Sequence, residues 1–168
     1  MKVGDSVGFF KSNKGTVISE MFKITEDFAM FKSGQMVNVN LFDTELKLHS
    51  PGTKNDATLE YSKITDVFYG PQSSIVEKDK SIIGRAVVGG LLFGGAGAIV
   101  GAMTANGKKE KQLNRIMFVI SYTGSNGMNK FIALEDTRLY KGKKLSEKLK
   151  ELCNITDQEP EQAHDIIL

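Results

Sequence analysis

The residues that most resemble chemical machinery are Gly95-Ala96-Gly97-Ala98-Ile99-Val100-Gly101, a G-x-G-x-x-x-G turn preceded by apolar Leu91-Leu92-Phe93. A turn of this kind can cradle a pyrophosphate through backbone amides at a helix N-terminus. The rest of that chemistry is missing from its expected place. The acidic residue that would hold a ribose hydroxyl about 20 residues further on should fall within Met117 to Gly124, which has no carboxylate. No Gly-Lys-Ser/Thr follows the glycines either, so a phosphate loop of the ATPase type is excluded. His49, His164 and the lone Cys153 form no metal-ligand spacing. Cys153 continues the apolar face of Leu149 and Leu152 and reads as a buried structural thiol rather than a nucleophile. Glu60, Asp66, Glu135 and Asp136 read as solvated strand faces and turns, and Lys141, Lys143 and Lys144 as solvated charge ahead of a helix. The expectation is no enzyme, no metal and no cofactor.

The segment that holds the glycine turn is the least ordinary part of the chain. Ile82 to Ala105 reads IIGRAVVGGLLFGGAGAIVGAMTA, and no charge occurs from Ala86 through Gly107. Small residues recur four apart, as Ala86, Gly90 and Gly94 and again as Gly97, Gly101 and Ala105. On a helix that spacing makes a smooth face along which two backbones approach closely. Each interior glycine costs a helix roughly 0.5–1 kcal/mol relative to alanine, so tight packing or lipid must offset it. As one helix, a run of about 22 residues would reach roughly 33 Å, the thickness of a bilayer's hydrocarbon core. A single span would place the strands on its two sides across the membrane from one another. The segment is therefore expected to be a helical hairpin, turning at Phe93-Gly94-Gly95-Ala96-Gly97, with arms near 82–93 and 97–106. Arms of about 15 Å enter one leaflet without crossing. Arg85 sits in the first arm, either snorkelling to a phosphate or solvated at the helix start. The basic flank of Lys108, Lys109, Lys111 and Arg115 suits an anionic cytoplasmic leaflet. Gly84, Arg85, Gly90, Gly94, Gly97 and Gly101 are the residues expected to carry self-association or membrane contact.

Composition sets the frame for these elements. At 168 residues, the chain suits one domain with embellishments. Its 22 basic and 20 acidic residues give no bias toward nucleic acid, and there is no tryptophan or aromatic–basic interleaving to stack bases. A single cysteine forms no internal disulfide and fits a reducing compartment. The N-terminus lacks a signal-peptide apolar run. The expected location is cytoplasmic, with a peripheral place at the inner face of the membrane if the hairpin takes it there.

Strands are expected at Thr16–Ile18, Met21–Ile24 leading into Phe28–Phe31, Met36–Leu41, Glu45–His49, Thr58–Tyr61, Ile64–Tyr69 closed by Gly70-Pro71, Ile116–Tyr122 and Lys130–Leu134. Ser33-Gly34, Ser50-Pro51-Gly52 and Asn126-Gly127 mark turns. Residues 143–153 form a short amphipathic helix with Leu145, Leu149 and Leu152 on one face. This order of elements resembles the PH-like domains of bacteria and their phages. Leu59-Glu60-Tyr61-Ser62-Lys63-Ile64-Thr65-Asp66-Val67 is similar to that family's "L-x-Y-x-x-I-x-x-V" strand, and Phe118-Val119-Ile120-Ser121-Tyr122 to its "F-x-I-x-Y" strand. A glycine-zipper insertion opening with Gly84-Arg85-Ala86 also resembles a decoration of this group. The resemblance implies a mainly β fold, a bent antiparallel barrel capped by a C-terminal helix, interrupted by a glycine-rich helical hairpin. The expected organisation is an N-terminal segment 1–15, a PH-like domain 16–153 with the hairpin at 82–107, and an acidic tail 154–168.

PH-like domains bind phosphoinositides, peptides or other proteins, so the resemblance implies a non-enzymatic binding and assembly module. Its hairpin would mediate homo-oligomerisation and contact an anionic membrane surface. The rival expectation is a soluble regulator or inhibitor, for example phage-encoded, that binds a host protein as a homo-oligomer. A nucleotide-binding domain using the Gly95–Gly101 turn is the third.

Overall fold

The computed structural model describes residues 15–75, 82–88 and 115–156. Seven strands follow one another: β1 (Ile18–Ile24), β2 (Met36–Leu41), β3 (Glu45–Ser50), β4 (Asn55–Glu60), β5 (Ile64–Pro71), β6 (Ile116–Thr123) and β7 (Asn129–Glu135). Helix α1 (Ile82–Val88) lies between β5 and β6, and α2 (Lys143–Leu152) follows β7. The strands form one sheet in the order β4-β3-β2-β1-β7-β6-β5, antiparallel at every pair. Lys23 with Glu135 and Ile24 with Leu134 join β1 to β7, extended by Thr25, whose amide and hydroxyl donate to Ala133 O, so a four-strand half and a three-strand half meet at a narrow corner. The fold is the PH-like arrangement, with α2 packed on β1 and β5.

Alternation along the strands builds the main core. Phe22, Ile24, Val37, Val39, Leu41, Leu46, Leu48, Phe118, Ile120 and Leu134 are all within 1 % of complete burial and face one interior. Leu145 and Leu149 of α2 close it, and Leu152 packs at its margin. The helix ends where Asn154 takes a left-handed φ of 54°: Ile155 N donates to Lys150 O and Asn154 N to Glu151 O, the hydrogen-bond pattern of a Schellman cap. Tyr61, in the single helical turn between β4 and β5, donates its hydroxyl to Phe42 O at 2.5 Å.

Several boundaries differ from the expectation. Thr16–Ile18 and Met21–Ile24 are one strand from Ile18, and Phe28 with Phe31 makes an isolated bridge across a tight turn. Gly70 and Pro71 are the last two residues of β5 rather than a turn beyond it, because Pro71 still pairs with Ile116. Proline is tolerated there because β5 is the edge of the sheet and needs no donor on its outer side. Asn126-Gly127 lies inside a longer loop closed by Gly124 N to Met128 O, with Gly127 at φ 75°.

A second core lies on the outer face of the three-strand half. Phe68, Ile75, Met117, Val119 and Ala133 gather there beneath Ile83 and Ala86 of α1. Strand β6 is consequently buried at every residue from Ile116 to Ser121, on both faces. A short apolar run without alternation is the pattern such a strand must have. Truncating Ile83 to alanine should therefore destabilise the domain by about 2–4 kcal/mol, whereas removing the exposed Arg85 side chain should change stability by less than about 0.5 kcal/mol. Chemical denaturation of the two variants reads the difference.

Candidate functional site

The candidate site is the end of the barrel at which the glycine-rich insertion leaves and returns. Strand β5 runs through Pro71 into a helical turn, Gln72–Ile75, and the chain comes back at Arg115. Gln72 N donates to Arg115 O at 2.9 Å, directly beyond the Pro71–Ile116 pair. The chain before the insertion and the chain after it are thus tied to each other.

The local sequence explains how α1 is seated. The β5–β6 register shifts between Ile64 and Asp66, leaving Thr65 as the extra residue of a bulge. Thr65 Oγ1 and Ser121 Oγ share a hydrogen bond at 2.9 Å. Beyond the bulge, the Asp66 carboxylate accepts from Val67 N at 2.8 Å and from Ile83 N at 3.4 Å, in the first turn of α1. A carboxylate at that position satisfies an amide that has no partner within the helix. Ile83, Gly84 and Ala86 are buried and Arg85 is exposed. Ala86, the first member of one row of small residues, therefore packs on the chain's own sheet.

Beside this exit, Asp136 organises the connection from β7 to α2. It is 5 % exposed. Oδ2 accepts from Tyr69 Oη at 2.5 Å and Gly142 N at 2.8 Å, and Oδ1 accepts from Arg138 N at 2.9 Å. Its own amide donates to Ile116 O at 2.8 Å. Burial first, and then the Asp136 carboxylate, push the Tyr69 hydroxyl far above the usual phenol range, so it remains a donor. Gly142 admits no side chain, because a Cβ there would lie 2.6 Å from Cε1 and Cζ of the fully buried Phe22. Between these fixed points, Leu139 and Tyr140 take left-handed φ values of 52° and 66°. For residues other than glycine, that conformation costs of order 1–3 kcal/mol each and persists only when its surroundings enforce it. The Tyr140 ring meets Tyr69 edge-on with centroids 6.4 Å apart.

The expected solvated role of Asp136 is overturned by these contacts. Its neighbours Glu135 and Thr137 give no local sign of burial, since the donors come from β5, the loop and the start of α2. Glu135 is also largely enclosed, 18 % exposed, with Arg115 Nε 3.9 Å from Oε1 and Lys23 Nζ 3.8 Å from Oε2. Arg115, expected in the basic flank, is thereby engaged with the barrel. The Cys153 thiol is partly buried at the edge of the main core, and burial pushes it up to about 11. Gly90, Gly94, Gly97, Gly101, Lys108, Lys109 and Lys111 lie outside the described residues, as do the Gly95–Gly101 turn and His164.

A family model described as "Glycine zipper containing PH domain" matches residues 23–135, more than half of the chain. The chain belongs to the glycine zipper-containing PH domain family. No curated protein matches it. The match spans β2 to β7 and the whole insertion, and stops one residue short of Asp136. PH-like domains are in general binding modules. Among the described residues no helix is long and apolar enough to cross a membrane, and no cluster of His, Cys, Asp and Glu could hold a metal ion.

The tyrosines and the thiol set a pH dependence. Tyr61 is pushed up to about 12, chiefly by burial, and Cys153 to about 11. A group whose pKa is raised by folding binds its proton more tightly in the native state. Stability is then full below the unfolded-state values, about 9 to 10, and declines as pH rises through 11 and 12. Melting temperature should fall across that window, and Tyr61→Phe should flatten its upper part. At pH 8 the native thiol should react with a maleimide far more slowly than after unfolding.

Proposed function

We propose that the protein is a non-catalytic PH-like assembly module, in which the glycine-rich insertion joins copies of the chain by close helix contact and meets an anionic membrane face. The observation that carries this reading is the anchoring of the insertion. The chain on either side of it is joined by the bond from Gln72 N to Arg115 O, and its first turn is sealed to the outer sheet face through Ile83, Gly84 and Ala86. That anchor gives the remaining small residues a fixed starting point. Gly90, Gly94, Gly97, Gly101 and Ala105 then supply a smooth surface of the kind that stabilises glycine-rich helices by backbone proximity. The interior glycines, which disfavour a lone helix in water, are the physical reason to expect a partner surface. A second copy of the same segment offers a self-complementary one. An apolar insertion whose two ends emerge together suits insertion into a single leaflet.

Light scattering of the full chain tests the assembly. The wild-type protein should have the mass of an oligomer, and leucine at Gly90, Gly94, Gly97 and Gly101 together should shift it to monomer with the β signal in circular dichroism unchanged. A wild-type monomer, or an oligomer of unchanged mass in the leucine variant, would remove the zipper reading. An intact oligomer that does not bind anionic vesicles at low salt would instead favour the soluble regulator that binds a host protein as a homo-oligomer.

A further inference from the structure

We propose that the loop from β7 to α2 is a membrane-docking finger, which inserts Leu139 and Tyr140 among the headgroups of an anionic bilayer. Leu139 is 83 % exposed and Tyr140 52 %, side by side at the tip. Exposed leucines are common singly, but this one is held out by a built framework. Both residues keep left-handed φ values that asparagine or glycine would adopt with less strain. The two carboxylate oxygens of buried Asp136 fix the loop on either side of them, at Arg138 N and Gly142 N, and Gly142 is wedged against Phe22. Conformational strain concentrated on two outward apolar side chains is the observation that calls for a function.

Charge names the occupant. Arg138, Lys141, Lys143 and Lys144 fall within seven residues. Glu20 takes Arg138 and Glu147 takes Lys143, while Lys141 and Lys144 pair with no described carboxylate. An apolar tip of two residues ringed by lysines is too small for the buried centre of a protein interface, and lysine is depleted from such centres. It matches a bilayer surface, where an amphipathic tyrosine sits at headgroup level and lysines extend toward phosphate. Position agrees: the Tyr140 ring lies on Tyr69, and Asp136 N is bonded to Ile116 O, so the finger adjoins the point where the insertion leaves and returns. The inference rests on the membrane part of the function proposed above, but assigns a contact to the barrel itself, independent of the glycine zipper.

Flotation of the full chain with phosphatidylcholine vesicles, with and without phosphatidylserine, tests it. The wild-type protein should float only with the anionic vesicles and be released by high salt. Leu139→Asn should weaken flotation about tenfold, through loss of the inserted leucine. Its melting temperature should be no lower than wild type, because asparagine accepts the left-handed φ. Lys141→Gln and Lys144→Gln should each weaken binding about fivefold. Unchanged flotation of Leu139→Asn overturns the proposal. So does loss of flotation in the glycine-to-leucine variant alone, which would assign the contact to the insertion. A wild-type protein that ignores anionic vesicles at low salt also overturns it, as does a finger that instead captures an acidic protein.

Discussion

Strand β6 must be covered on both faces, and most of the architecture follows from that. Its inner residues, Phe118 and Ile120, are enclosed by the two halves of the sheet and α2, with the Phe118 ring 5.0 Å from Phe22. Its outer residues, Met117 and Val119, are as fully buried, under Ile83 and Ala86. Burying a side chain of this size is worth about 1.5–3 kcal/mol, so leaving the outer face bare would forfeit a substantial part of a marginal total. The beginning of the glycine-rich insertion is thereby a structural member of the barrel. Asp66 and the bulge at Thr65 direct it onto that face.

Asp136 is the polar counterpart of that apolar constraint. Taking a carboxylate out of water is tolerated only when donors replace its hydration. Tyr69, Arg138 and Gly142 provide them from β5, the loop and the threshold of α2. The same bonds hold the loop in a conformation its own residues disfavour. Core packing at Phe22 and presentation of Leu139 are thus mechanically connected through Gly142.

The polar arrangement belongs to one end of the molecule. The Gln72–Arg115 bond, the Glu135 contacts with Arg115 and Lys23, and the left-handed loop all lie around the start of β6 and the end of β7, whereas α1 starts from Asp66, opposite Ser121, and crosses the outer face.

The amino-acid sequence by itself made most of the strands and the C-terminal helix legible, because each rests on local periodicity, and it made the family legible as a resemblance of motifs. Glu45–Ser50 alternates with period two, Leu145, Leu149 and Leu152 recur at helical spacing, and Ile116–Ile120 is an unbroken apolar run. The glycine rows were equally legible. Tertiary structure alone decided which surfaces those elements cover. That Ala86 would face its own sheet, that β5 would pair through Pro71, and that Asp136 would be buried all depend on groups distant in the chain. The donors to Asp136 include Tyr69, 67 residues earlier. Periodicity reports which side of an element is apolar. It does not report what lies opposite, and the charge and strain of the β7–α2 loop arise from that.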